Sequence, residues 1–228
     1  QEAIDLTVEA FDLAEKYRAI VVILVDGSLG QMMEPAELPP MQPIRRERPD
    51  WAVTGAQGRE RRILSSIYLD PEEEEKTNLR LLERWAQIEA NEVRYKGYYL
   101  EDAEFVVIGF GTAGRVALSA VRAARAEGLP VGLLRPISLS PFPSAVINQL
   151  SRQVRAMLVV EMNAGQMLQD VLLAVEGRVP VEFFGRLGGV VPFPDEVLDE
   201  IHRLDQAPMS WSLDPRKSWL KRIEPSRS

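Results

Sequence analysis

The stretch EFVVIGFGTAGRVALSAVRAARAEGLPVGLLRP, Glu104 to Pro136, decides the fold. Phe105 to Ile108 is a short unbroken apolar run, the form of a strand buried on both faces. It ends on Gly109-Phe110-Gly111-Thr112-Ala113-Gly114, and a helical pattern follows over Val116–Glu127. Gly128 closes that helix, since glycine takes the left-handed conformation that helix ends favour. Val131 to Leu134 is then a second strand. The same alternation continues outward. Helices are predicted over Ser144–Gln153, Gln166–Glu176 and Asp195–Leu204, and strands over Met157–Val160 and Val181–Phe184. Repeated strand–helix units joined by short turns predict a parallel, doubly wound sheet with right-handed crossovers over 103–204. The fold class is α/β.

Upstream, Gln1 to Tyr17 reads as a helix, with Ile4, Val8, Phe11 and Ala14 or Tyr17 on one face of a 3.6-residue period. Val21 to Val25 is an apolar, β-branched run and is expected to be a buried strand. It runs into the loop DGSLGQMMEP, Asp26 to Pro35. The chain opens in mid-pattern, which suggests an N-terminal part beyond it. Leu38 to Arg62 has no clear period and holds Arg45, Arg46, Arg48, Arg59, Arg61 and Arg62, offset by Glu47, Asp50 and Glu60. It reads as a solvated or subunit-bridging loop, or as a phosphate-binding arm. Asp70-Pro71 ahead of Glu72 to Glu75 marks a helix start, because Asp caps, Pro suits the first turn and acids favour the positive end of the helix dipole. An apolar stripe of Leu81, Leu82, Trp85, Ile88 and Val93 carries that helix to about Tyr95. The predicted organisation is a partial domain over 1–62, a linker with a long helix over 63–102, the doubly wound domain over 103–204 and an extended tail over 205–228. Trp211 and Trp219 of that tail need a surface to cover.

Composition removes several functions. The chain has no Cys and one His, so it offers no disulfide, thiolate zinc site, thiol nucleophile or ligand for an iron–sulfur cluster. With 27 Lys and Arg against 34 Asp and Glu the net charge is −7, which argues against nucleic-acid binding. No apolar run reaches the roughly 18 residues a membrane span needs. The chain begins at Gln1 with an amphipathic helix rather than a signal peptide, and the absence of Cys fits the cytoplasm.

Gly109 to Gly114 is a GxGxxG after a strand and before a helix, the context of a dinucleotide site. Its glycines would let backbone amides approach a pyrophosphate at a helix start. The acid that should hold a ribose at the end of the next strand is missing, since Leu134-Arg135-Pro136 stands there. A tight strand-to-helix turn is the plainer reading. Glu161-Met162-Asn163-Ala164-Gly165-Gln166 and Gly185-Arg186-Leu187-Gly188-Gly189 end the next strands, on the sheet edge where α/β proteins bind ligands. Glu161, after two valines, needs a partner, and Arg186 or Arg135 are the candidates. His202 lies late on a surface helix. No nucleophile, metal cluster or acid–base pair can be assembled from these residues, so the catalytic residues are unknown.

AFDLAEKYR (Ala10–Arg18), VVILVDGSLGQMMEP (Val21–Pro35), DWAVTGAQGR (Asp50–Arg59), LRPISLSPFP (Leu134–Pro143), VVEMNAGQM (Val159–Met167) and VEFFGRLGG (Val181–Gly189) occur in this order. Together they resemble the alpha subunit of 2-oxoacid:ferredoxin oxidoreductases, the 2-oxoisovalerate type first and the 2-oxoglutarate type next. The resemblance implies a thiamine diphosphate enzyme that oxidatively decarboxylates a 2-oxoacid to acyl-CoA and passes electrons through iron–sulfur clusters to ferredoxin. It implies that 1–62 is the last part of a pyrimidine-binding domain and 103–204 a domain similar to the transketolase C-terminal domain.

It also implies partners. A beta subunit would carry the diphosphate and Mg²⁺, with gamma and ferredoxin-like delta subunits beside it, and the clusters and CoA would sit on other chains. The glutamate that activates the aminopyrimidine, and the Thr and Arg that touch substrate in this family, match no position here. Asp26, Gly27, Leu29, Gly30, Gln31 and Glu34 are therefore candidates for cofactor or interface contact. Glu161, Asn163, Gln166 and Arg186 are candidates for a substrate channel or interface, and no metal site is expected. A nucleotide-binding module using Gly109–Gly114, or a non-catalytic assembly subunit, are the alternatives.

Overall fold

A computed structural model describes residues 1–41, 48–206, 211–212 and 214–223. In chain order the elements are α1 (Glu2–Tyr17), α2 (Gly27–Gln31), α3 (Pro71–Asn91), β1 (Tyr95–Tyr98), β2 (Phe105–Ile108), α4 (Gly111–Ala126), β3 (Val131–Pro136), α5 (Ser144–Leu150), β4 (Ala156–Glu161), α6 (Met167–Val175), β5 (Val181–Gly185), α7 (Pro194–Gln206) and α8 (Pro215–Ile223). They divide into two units. The first comprises Gln1–Leu24 and Met33–Ala90, the second Val25–Met32 and Asn91–Ser228.

In the first unit α1 ends on Arg18 in the left-handed conformation (φ 47°) and buries Ala10 and Tyr17. Phe11, expected on the buried face, is exposed. The strand expected over Val21–Val25 does not form, and its residues are open to solvent, Leu24 at 71%. A β-branched run becomes a strand only where a neighbour supplies the other half of the ladder. α3 starts as predicted, with Asp70 Oδ1 accepting from the amides of Glu72 (2.9 Å) and Glu73 (3.3 Å). Its stripe of Leu81, Leu82 and Trp85 is exposed, and the helix stops at Asn91, short of Val93. In the basic loop, Arg59 donates to Glu60 O and Thr54 Oγ1, and Arg62 to Ala52 O. Arg45, Arg46 and Glu47 lie outside the described residues.

The second unit is the predicted sheet with one addition. Its order is β1-β3-β2-β4-β5, parallel from β3 to β5, with β1 antiparallel to β3. β1 was not expected, since YKGY shows no apolar alternation and is mostly exposed. β2, β4 and β5 are buried along their whole length, as strands covered on both faces by helices should be. α4 places its small residues Ala113, Ala117, Ala120 and Ala124 in the core.

The tail is not extended as expected: α8 lies against β5. Trp219, 2% exposed, stacks edge-on to Phe183 with ring centroids 5.0 Å apart, and its indole N–H donates to Gly185 O at 3.0 Å. Arg222 donates to Phe183 O at 3.0 Å and to Glu200 at 2.8 Å, and Arg203 joins Glu200 to Glu182. Trp219 and Arg222, rather than any regular pattern, hold this helix on the sheet. Trp211 is exposed. No helix among the described residues is long and apolar enough to cross a membrane.

Candidate functional site

The chain runs from β2 to β3 in one direction across the sheet and then crosses back to β4, so the topological switch point lies between β2 and β4. The two loops beyond those strand ends are Gly109–Gly114 and Glu161–Gln166, each opening a helix. An α/β sheet of this kind offers a ligand the free amides of its helix starts there.

The first start is already filled by this chain. The Asp26 carboxylate accepts from the Thr112 amide at 3.0 Å and the Thr112 hydroxyl at 2.9 Å. The same carboxylate caps α2 by accepting from the Leu29 amide at 2.9 Å. Partial burial pushes its pKa up, but hydrogen bonds from the Leu29 and Thr112 amides, the Thr112 hydroxyl and the Ser28 amide outweigh that. They hold the carboxyl below its ordinary value. Gly111 makes room for it: at φ 55°, a Cβ here would stand 3.1 Å from Asp26 Oδ2. Gly114 has the close-packing role, since a Cβ on it would come within 2.6 Å of Gly109 O. The GxGxxG is thus a tight turn whose anion is Asp26. Thr112 was not singled out in the sequence, where a hydroxyl residue between the turn's glycines was the available signal.

The second start is filled in the same way. Glu161, fully buried, accepts from the amides of Met167 (3.0 Å) and Leu168 (2.9 Å) and from Asn163 Nδ2 (2.9 Å). Asn163 Oδ1 in turn accepts from the amides of Gly165 (2.8 Å) and Gln166 (2.9 Å). The arginine expected to neutralise Glu161 is replaced by a helix start, whose amides carry the positive end of the dipole. Arg186 pairs with Glu196 instead and lies over the Phe184 ring at 5.7 Å. Its Nε is buried with no hydrogen-bond partner. His202 Nε2 meets Glu127 Oε2 at 2.5 Å.

Of the predicted residues, the structure therefore brings Glu161, Asn163 and Gln166 together as one helix start. Asp26, Gly27, Leu29, Gly30 and Gln31 form a single turn in the second unit, with Gly27, Gly30 and Gln31 facing solvent. Glu34 is exposed and belongs to the first unit. Arg115 Nη1 lies 3.5 Å from Met32 Sδ at the far end of that turn.

Residues 103–197 match the family profile of pyruvate:ferredoxin oxidoreductase core domain II. The ketoisovalerate oxidoreductase subunit VorB of Methanothermobacter thermautotrophicus is 46% identical over 204 residues, 90% of this chain and 58% of that protein. The 2-oxoglutarate synthase subunit KorA of Methanothermobacter marburgensis is 32% identical over 229 residues, 88% of this chain and 60% of that protein. The chain thus spans about three-fifths of the length of these relatives. A solved 2-oxoglutarate:ferredoxin oxidoreductase from Magnetococcus marinus, with 2-oxoglutarate, coenzyme A and succinyl-CoA bound, shares the fold. Its TM-score is 0.64 at 21% identity, over 88% of this chain and 40% of that one. The doubly wound domain thus matches core domain II, and the chain that carries it is similar to the ketoisovalerate and 2-oxoglutarate subunits over about nine-tenths of its length.

Proposed function

We propose that this chain works as the alpha subunit, or the C-terminal portion of it, of a thiamine diphosphate-dependent oxidoreductase acting on a branched-chain 2-oxoacid. The reaction converts a 2-oxoacid, CoA and two oxidised ferredoxins to an acyl-CoA, CO2, a proton and two reduced ferredoxins. The carbon–carboxylate bond breaks, the thioester forms and the two electrons leave one at a time. The observation that carries the reading is the 46% identity to a ketoisovalerate oxidoreductase subunit over 90% of this chain.

The residues present do not fit the diphosphate and its Mg²⁺. Both helix starts at the switch point are taken by Asp26 and Glu161, and no group of three or more His, Cys, Asp or Glu is gathered for a metal among the described residues. The cofactor is assigned to a beta subunit. The electrons are assigned to cluster-bearing partners, because this chain has no Cys. Cytoplasm is the assigned compartment, since ferredoxin and CoA are found there and a chain free of Cys has no disulfide to form.

The test is co-expression with beta, gamma and delta companions and an assay of CoA-dependent ferredoxin reduction. Turnover on 2-oxoisovalerate faster than on 2-oxoglutarate is expected. A stable complex inert toward every 2-oxoacid would falsify the reading. The self-satisfied carboxylates favour a second reading, a non-catalytic assembly subunit, for which the same complex keeps full turnover when Gln31 and Glu34 are replaced.

A further inference from the structure

We propose that Asp26 is a positioning residue that uses the glycine-rich turn before α4 as its receptor: its carboxylate stands where a nucleotide phosphate would bind and thereby fixes the Gly27–Gln31 turn. The geometry is an anion site with its anion built in. One carboxylate serves two helix starts at once, capping α2 through Leu29 and closing α4 through the amide and hydroxyl of Thr112, 86 positions away. α2 is only five residues long and buries none of them fully, so packing alone does not hold it. What orders Gly27–Gln31 is the carboxylate together with the partial burial of Ser28 and Leu29. Gly111, in the left-handed conformation and without a Cβ, is shaped to admit it.

The segment Val25–Met32 belongs to the second unit while the chain on either side of it belongs to the first. A segment threaded in this way needs an attachment, and Asp26 supplies its polar part. Arg115 Nη1 and Met32 Sδ, 3.5 Å apart, mark the end of the attached stretch. The groups facing Asp26 are the amides of Ser28 and Leu29 on α2 and the amide and hydroxyl of Thr112 on α4. Arg115 is the first charged side chain of α4. The carboxylate is thus ionised at neutral pH and engaged with this chain's own donors, so Asp26 acts through the turn it holds and not on a cofactor directly. That last step rests on the functional reading above.

The first arm of the test is hydrogen exchange in the full chain, comparing wild type with Asp26→Ala, Asp26→Asn and Thr112→Val. Hydrogen bonds to a charged group are strong enough that losing them should speed exchange over 25–33 and 111–115 roughly tenfold to a hundredfold. β2, β4 and β5 should stay protected. In wild type, opening of 25–33 should also rise as pH falls through the lowered pKa of Asp26, and Asp26→Asn should abolish that acid dependence. Unchanged exchange over 25–33 in every variant overturns the proposal. So does acceleration spread evenly over the sheet in Asp26→Asn and Thr112→Val, which are mild enough to keep the fold if Asp26→Ala does not.

The second arm uses the assembled complex. A lower kcat in Asp26→Ala with KM for the 2-oxoacid nearly unchanged, partly recovered in Asp26→Asn, supports the positioning role. Opening of 25–33 with unaltered kcat overturns that role. A wild-type complex without 2-oxoacid turnover strikes the functional reading instead and leaves the exchange result standing.

Discussion

Val21–Val25 and Phe105–Ile108 are nearly the same text, a short run of valine, isoleucine and leucine or phenylalanine, yet they meet opposite fates. Phe105–Ile108 pairs on both sides, with β3 and β4, and is buried to the last residue. Val21–Val25 forms no ladder and stands exposed, as do Leu81 and Leu82 of α3. Propensity is equal in the two runs, so the ladder partner makes the difference. In the second unit, by contrast, the buried carboxylates find donors within the chain, through Glu161 and the Glu182–Arg203–Glu200–Arg222 network.

The contrast can be broken most strongly at Trp219. Trp219→Ala removes a buried ring and its bond to Gly185 O, and denaturant unfolding should show a loss of about 3–5 kcal/mol. A much smaller loss would mean that α8 is only loosely attached. Glu161→Ala comes next. It leaves the Met167 and Leu168 amides without an acceptor in a fully buried place, and the same measurement should show a loss of about 2–4 kcal/mol. Glu161→Gln, which keeps one acceptor oxygen, should lose less.

Acid gives the third and milder effect. The pKa of Asp26 is lowered in the folded protein, so its contribution is complete above the ordinary value of 3.8 and disappears as pH falls through the lowered one. Acid titration followed by circular dichroism should therefore show wild type losing stability below about pH 3.8 faster than Asp26→Asn does. The smallest effect is expected in the first unit. Leu24→Lys and Leu82→Lys, at 71% and 64% exposure, should shift stability by no more than about 0.5 kcal/mol while lowering the binding of an apolar dye. A large destabilisation there would show that these side chains are packed after all.

The sequence made the sheet legible wherever local and long-range signals agreed. Each predicted strand from Phe105 to Phe184 is present, and the helices between and after them lie within three residues of their expected bounds, except that α4 starts at Gly111, five residues before Val116. It failed where the deciding interaction was tertiary. β1 exists because Tyr95–Tyr98 finds the backbone of β3, and nothing in YKGY announces it. α8 exists as a docked helix because Trp219 and Arg222 find the outer carbonyls of β5. The candidate loops were located correctly as strand ends, but their chemistry was not legible. The partners of Asp26 and Glu161 are backbone amides, which every residue carries and no motif displays. Arg186 and Glu161 looked like a pair by position, yet the start of α6 offered the carboxylate better-placed donors.

The docking of α8 has a bearing on how this protein behaves in a crowded solution. β5 ends the sheet, and a terminal strand with bare carbonyls is a template on which another chain can build by hydrogen-bonding alone, the first step toward aggregation. Here the carbonyls of Phe183 and Gly185 are capped by an arginine and an indole, and side chains cannot pass the pattern on to a next strand. The opposite margin, β1, carries Lys96 and Gly97 in a stretch of only four residues, too short and too charged to recruit readily. Sheet growth by backbone pairing is thus disfavoured at both margins.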